Sequence, residues 1–83
     1  MKDEHTTLPD FMQLLDTAIV YEKMGRLDAA EELLNDATIT AQKANSPQDL
    51  ALCYAQFVLF LERQGRGSEA TSMKEVLDLL LPN

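Results

Sequence analysis

The residues that could perform chemistry are few and lie far apart in this chain. Its one histidine, His5, falls in a charged N-terminal segment, and its one cysteine, Cys53, falls inside an apolar run. A catalytic nucleophile needs a base within hydrogen-bonding reach, and a reactive thiol needs a basic neighbourhood. Cys53 has neither nearby in the sequence. We interpret Cys53 as a small core residue and His5 as a solvated residue of the tail.

The carboxylates also lack the spacing of a catalytic or metal site. Glu31, Glu32 and Asp36 recur at the interval of an exposed helix face. A di-metal site between helices would need Glu-x-x-His, which does not occur. The Gly65–Ser68 segment lacks the spacing of a phosphate-binding loop. We therefore expect no enzymatic activity, no cofactor and no metal ion.

Length and charge restrict the classes of partner. Eighty-three residues suffice for one domain, and the net charge of −7 disfavours binding to nucleic acid or to an anionic membrane. The apolar run Leu50–Leu61 is too short to cross a bilayer, and we expect no signal peptide because the first ten residues contain no apolar run. We expect a soluble cytoplasmic protein with an apolar or basic protein partner, although the acidic charge also serves solubility by itself.

The stretch from Tyr21 to Ala37 predicts a helix end, a tight turn and the start of a second helix. Gly25 stands where a helix ends in a left-handed residue, and Asp28 with Glu31 has the spacing of a capping box. A link of about three residues makes the flanking helices an antiparallel hairpin.

Further start and stop signals predict four helices, over about residues 9–24, 29–44, 47–64 and 69–80. These signals are Thr7 and Pro9, the end at Asn45, the start at Ser46 and Pro47, the start at Ser68, and the stop at Pro82. Residues 1–8 are read as a flexible tail and residues 9–83 as a single helical domain. The predicted inner residues of the second and fourth helices are Ala30, Leu33, Leu34, Ala37, Ile39 and Ala41, and Ala70, Met73, Val76, Leu77 and Leu80.

The sequence of this turn is repeated forty residues later. Gly65-Arg66 corresponds to Gly25-Arg26, and Glu62 corresponds to Glu22. At these positions the chain resembles the tetratricopeptide repeat family. The first copy reads Leu14, Thr17, Ala18, Tyr21, Gly25, Ala30, Leu34 and Ala37, and the second reads Tyr54, Phe57, Val58, Leu61, Gly65, Ala70, Lys74, Leu77 and Pro82. Thr17, Val58 and Lys74 depart from the family pattern. The period of about 40 is similar to that of kinesin-light-chain-like members.

The resemblance implies an all-α fold of two antiparallel hairpins, stacked as a short right-handed superhelix. Repeat one would cover about residues 9–45 and repeat two about residues 46–82. The alternative from the pattern alone is an unrelated four-helix bundle.

In that family the first helix of each repeat lines a groove, which implies a site for a protein or peptide partner. The implied groove residues are Met12, Leu15, Ile19, Glu22, Lys23, Leu52, Ala55, Leu59, Glu62 and Arg63. Their spacing suits an amphipathic helix laid along the groove, although the same residues could instead be core. The clamp that some members use for chaperone tails is missing, because Leu15 and Ile19 occupy its positions.

Two functions remain open from the sequence. The first is a protein-interaction module, such as an adaptor, a chaperone-like cover or an assembly subunit. The second is a self-associating structural homodimer, whose interface would combine the apolar groove with the C-terminal leucines. Among these, Leu79 and Leu81 exceed what one helix face can bury.

Overall fold

The computed structural model describes residues 11–80, which form four α-helices. They are α1 (Phe11–Lys23), α2 (Leu27–Lys43), α3 (Pro47–Arg63) and α4 (Gly67–Leu80). Helix α1 pairs with α2 and α3 pairs with α4, while α3 also packs on α2 and α1. The prediction of an all-α fold built from two stacked hairpins is confirmed. The predicted tail, Thr7, Pro9, Leu81 and Pro82 lie outside the described residues.

The two hairpin turns have the same backbone structure. In the first, the Arg26 amide donates to the Tyr21 carbonyl (2.9 Å) across Gly25, whose φ is 81°. In the second, the Arg66 amide donates to the Leu61 carbonyl (2.9 Å) across a Gly65 with φ of 75°. This pairing, in which a left-handed glycine closes the helix end, is the Schellman motif. The forty-residue repeat is therefore a repeat of structure at the turns.

The link between the hairpins was also predicted correctly. Asn45 has a φ of 56°, and the Ser46 side chain accepts a hydrogen bond from the Asp49 amide (3.3 Å) at the start of α3. Pro47 follows in the first turn, where its missing amide hydrogen leaves no bond unmade.

Two predicted N-caps were wrong. Helix α2 begins at Leu27 with Arg26 as its N-cap and no side-chain hydrogen bond, so Asp28 lies in the first turn. Helix α4 begins at Gly67, so Ser68 also lies inside the helix. The reason is that the turns are tight, so Arg26 and Arg66 each take part in two helices. Their amides form the last hydrogen bond of the preceding helix, and their carbonyls accept the first hydrogen bond of the next, from Ala30 and Ala70 respectively (both 3.0 Å).

The core lies between the helix pairs. Its buried members are Leu15, Ala18, Ala30, Leu34, Ala37, Ala41, Cys53, Phe57, Val58, Phe60, Leu61 and Ala70. Cys53 is fully buried, as predicted. Ile39 and Val76, predicted to face inward, are exposed. Ile39 follows buried Ala37 by two residues, which is about 200° around a helix and thus the opposite side.

Arg66 joins the two hairpins at the second turn. Its guanidinium donates to both carboxylate oxygens of Glu31 on α2 (2.8 and 3.0 Å) and to the carboxylate of Glu69 on α4. The hydrogen bonds with Glu69 and then Glu31 raise the Arg66 pKa, and the Arg66 guanidinium lowers the pKa of Glu69. One arginine therefore helps to fix how the second hairpin sits on the first.

Candidate protein-binding groove

Four large apolar side chains remain exposed on one face of α1 and α3. Met12 (46% exposed) and Ile19 (38%) lie on α1, and Leu52 (38%) and Leu59 (45%) occupy the equivalent positions on α3. Each pair is separated by seven residues, or two helical turns, and so points in one direction. We call these four residues the groove face.

A depression of about 410 Å³ lies where the groove face meets the C-terminal ends of α1 and α3. It is lined by Ile19, Glu22, Lys23, Gln56 and Arg63. Below it a narrow cavity, lined among others by Leu15, Leu34 and Phe60, leads into the core. The structure therefore brings four of the predicted groove residues (Ile19, Glu22, Lys23 and Arg63) around one depression.

An ion pair with two parallel hydrogen bonds crosses this depression. The Arg63 Nε and Nη2 atoms lie 2.7 Å from the two carboxylate oxygens of Glu22, and Gln64 Nε2 donates to the same carboxylate at 3.1 Å. These contacts, chiefly the hydrogen bonds from Arg63, hold the Glu22 pKa below its ordinary value and raise the pKa of Arg63. The pair holds α1 against α3, and the Glu22 carboxylate neutralises the charge of Arg63.

Two predicted groove residues point elsewhere, and a third is partly covered. Leu15 is only 4% exposed and belongs to the core beneath the groove. Glu62 turns away from α1 and pairs with Lys74 of α4, with 2.8 Å between Nζ and Oε2. Ala55 is partly buried. Contrary to the prediction, Leu15 and Glu62 do not contribute to the exposed face of the groove.

Sequence reasoning missed Gln56, which lines the depression. It is the one polar residue within the run Leu50–Leu61, four residues after Leu52 and three before Leu59. This spacing places it on the same helix face as both leucines. The signal was present in the sequence as a polar break in an apolar stripe.

The two ends of the stack are more polar than the interface between the hairpins. Phe60 lines the cavity between the hairpins, but its equivalent on α1 is Val20, which is 52% exposed and has polar Thr17 one turn before it. Leu34 lines the inter-hairpin cavity, but its equivalent on α4 is the ion-paired Lys74.

No catalytic arrangement emerges around Cys53. Burial, and secondarily the negative charge of Asp49, raises its pKa to about 11, so the thiol stays protonated at neutral pH. Within residues 11–80 no group of three or more His, Cys, Asp or Glu side chains is placed to hold a metal ion. None of the four helices has the length and apolar character that crossing a membrane requires.

The predicted self-association residues are only partly described. Leu79 on α4 is 86% exposed, while Leu81 lies outside the described residues. Ile39, at the equivalent position of α2, is also exposed. The outer face of the second helices therefore carries isolated apolar side chains as well.

Comparison with known proteins does not identify relatives. No family model matches the chain, and the searches of curated proteins and of solved structures found no match. The resemblance to tetratricopeptide repeats therefore rests on the residues described above.

Proposed function

We propose that this chain is a protein-interaction module of the tetratricopeptide type that binds an apolar or amphipathic helix of a partner along its groove. The observation that supports this best is the groove face itself. Met12, Ile19, Leu52 and Leu59 remain exposed although buried core residues lie beneath the groove. Contiguous exposed apolar surface is the usual mark of an interaction site.

The spacing favours a helix as the bound element. Seven residues separate the exposed side chains on each groove helix, a rise of about 10.5 Å. A partner helix with apolar residues at i, i+3 or i+4, and i+7 repeats the same interval and can bury one stripe between the two rows. The proposal includes no catalytic step. We also propose a cytoplasmic location, since the single cysteine of the chain leaves no internal disulfide to form.

A designed helical peptide with a leucine stripe at i, i+4, i+7 and i+11, labelled with a fluorophore, tests the groove. We expect the double variant Ile19→Glu, Leu59→Glu to weaken binding at least tenfold, because two carboxylates would be desolvated in the complex. Circular dichroism should remain unchanged, since both positions are exposed. Leu15→Glu is unsuitable because it would bury a charge in the core.

The matched control is the double variant Ile39→Glu, Val76→Glu, which places two glutamates at comparably exposed apolar positions of α2 and α4 (47% and 41%, against 38% for Ile19 and 45% for Leu59). It should bind the peptide like the unchanged protein. An equal loss in the control, or no binding by the unchanged protein, would contradict the groove assignment.

The second candidate function is self-association through the outer face, favoured by the 86% exposure of Leu79. Light scattering during gel filtration distinguishes it from the first. A mass of 9.3 kDa across a hundredfold range of concentration indicates a free monomer. A stable doubled mass that Leu79→Glu returns to 9.3 kDa would favour the homodimer.

A further inference from the structure

Helix α1 presents two unneutralised charges along the groove. Asp16 lies four residues after Met12, and Lys23 lies four residues after Ile19, so all four share one face of the helix. Asp16 and Lys23 are both exposed. Neither has an ion-pair partner among residues 11–80.

Helix α3 carries no such charges at the equivalent positions. Gln56 replaces Asp16, and Arg63, which replaces Lys23, is already paired with Glu22. On α3, Asp49 lies seven residues before Gln56, on the same helix face, and also has no ion-pair partner among residues 11–80. The unpaired carboxylates of Asp49 and Asp16 therefore lie toward the N-terminal ends of the groove helices, and the ammonium of Lys23 lies toward the C-terminal end. Asp16 and Lys23 are seven residues apart, or about 10.5 Å along the helix axis.

We infer that the groove accepts a partner helix in one direction only, set by Asp16 and Lys23; this inference rests on the proposed function. The partner carries an apolar stripe, a basic residue opposite Asp16 and, seven residues away, an acidic residue opposite Lys23. Reversing such a helix would place like charges against each other at both ends. The partner is thus a zwitterionic amphipathic helix with a defined order of charges.

The size of the effect follows from the exposure of both residues. Exposed ion pairs strengthen an interaction by about two- to fivefold each at moderate ionic strength, and salt screens them. Apolar contacts should therefore supply most of the affinity, while the two charges select the direction. The direction in which a peptide helix binds is therefore a better test of the two charges than its binding affinity.

The experiment uses one designed peptide with a leucine stripe, a lysine near its N-terminus, a glutamate seven residues later and a nitroxide at its N-terminus. With the unchanged protein the peptide should run parallel to α1. The nitroxide should then broaden the methyl signal of Met12 in NMR spectra and spare those of Leu59. With the variant Asp16→Lys, Lys23→Asp, whose net charge is unchanged, the peptide should reverse and the broadening should move to Leu59.

The outcomes separate this inference from the proposed function. A control peptide with glutamine at both charged positions should bind a few-fold more weakly and broaden both sets of methyl signals. If the charged peptide also broadens both sets with the unchanged protein, or keeps its direction with the variant, the inference is overturned while the groove stands. If neither peptide binds, the proposed function fails as well.

Discussion

The carboxylate of Glu22 on α1 receives two parallel hydrogen bonds from the guanidinium of Arg63 on α3, both 2.7 Å long. The two residues lie 41 positions apart in the chain, so the pair joins one hairpin to the next. Arg66 forms a second link of this kind with Glu31. Because α1 and α3 otherwise touch little, these ion pairs, together with the packing of α2 on α3, decide the relative orientation of the groove walls.

Replacing Glu22 with glutamine should make stability less dependent on pH. The hydrogen bonds from Arg63 lower the Glu22 pKa in the folded state. The pair therefore stabilises the fold above the ordinary glutamate pKa of about 4.3, and this stabilisation is lost as the pH falls through the lower folded-state pKa. Urea unfolding at pH 7 should show a loss of about 1 kcal/mol in Glu22→Gln, the upper end for exposed ion pairs, because Arg63 is 50% exposed but Glu22 only 14%.

Glu32→Gln is the matched control for the Glu22 prediction, since Glu32 is exposed and pairs with no cation among the described residues. Its unfolding free energy should follow the unchanged protein from pH 7 to pH 3. Parallel pH profiles for Glu22→Gln and the unchanged protein would show that the pair contributes nothing.

Alanine at either hairpin glycine should destabilise the protein by a similar amount. Gly25 and Gly65 have φ values of 81° and 75°, and an added Cβ at either position meets no atom within 4 Å. The cost is therefore backbone strain alone, about 1–2 kcal/mol in each case. Gly67→Ala is the control, because Gly67 begins α4 without a positive φ; its unfolding free energy should rise by up to about 1 kcal/mol. A loss at Gly67 equal to that at Gly65 in thermal unfolding would refute this account.

The sequence predicted the turns well because their signals are local. Gly25 and Asn45 were predicted to end their helices in left-handed conformations, which residue type largely determines, and Gly65 at the repeated turn adopts the same conformation. The start of α3 combined a serine cap with a proline and an acid, three features that agree. At the start of α2, the backbone geometry of the turn overrode the side-chain capping preference of Asp28.

The groove was harder to predict because equivalent residues have different neighbours. Glu22 and Glu62 occupy the same repeat position, yet Glu22 meets the next hairpin at Arg63 and Glu62 meets Lys74 of its own hairpin. Leu15 follows the spacing of the groove stripe but lies just far enough round the helix to enter the core. The neighbours of each residue depend on which helix packs beside α1 or α3, and the periodicity of a single helix does not reveal this.

Ser46→Ala should destabilise the protein while Ser68→Ala should not. The Ser46 hydroxyl accepts a hydrogen bond from the Asp49 amide and caps α3. Removing the hydroxyl should therefore lower the free energy of unfolding by about 1 kcal/mol. Ser68 lies within α4, exposed, and alanine there should change the unfolding free energy by less than about 0.5 kcal/mol. Chemical denaturation of the two variants checks this; a larger loss at Ser68 would restore it as the N-cap of α4.

Lys74→Leu should make the protein associate end to end. Lys74 replaces the Leu34 of the first hairpin, which faces the inter-hairpin cavity beside Phe60. In its place Lys74 pairs with Glu62 at the far side of the stack. Leucine at position 74 would give this end an apolar contact, complementary to the half-exposed Val20 at the other end of a second copy. Because such head-to-tail contacts do not close, the mass should keep rising with concentration.

Lys43→Leu provides the comparison, since it removes the same charge and adds the same apolar area at an exposed site near the end of α2. Sedimentation velocity over a hundredfold range of concentration should show a weight-average mass above 9.3 kDa for Lys74→Leu and a constant mass for Lys43→Leu. Association in both variants would reflect general stickiness. Association in neither would mean that the polar residues around Val20, and not Lys74, keep the ends apart.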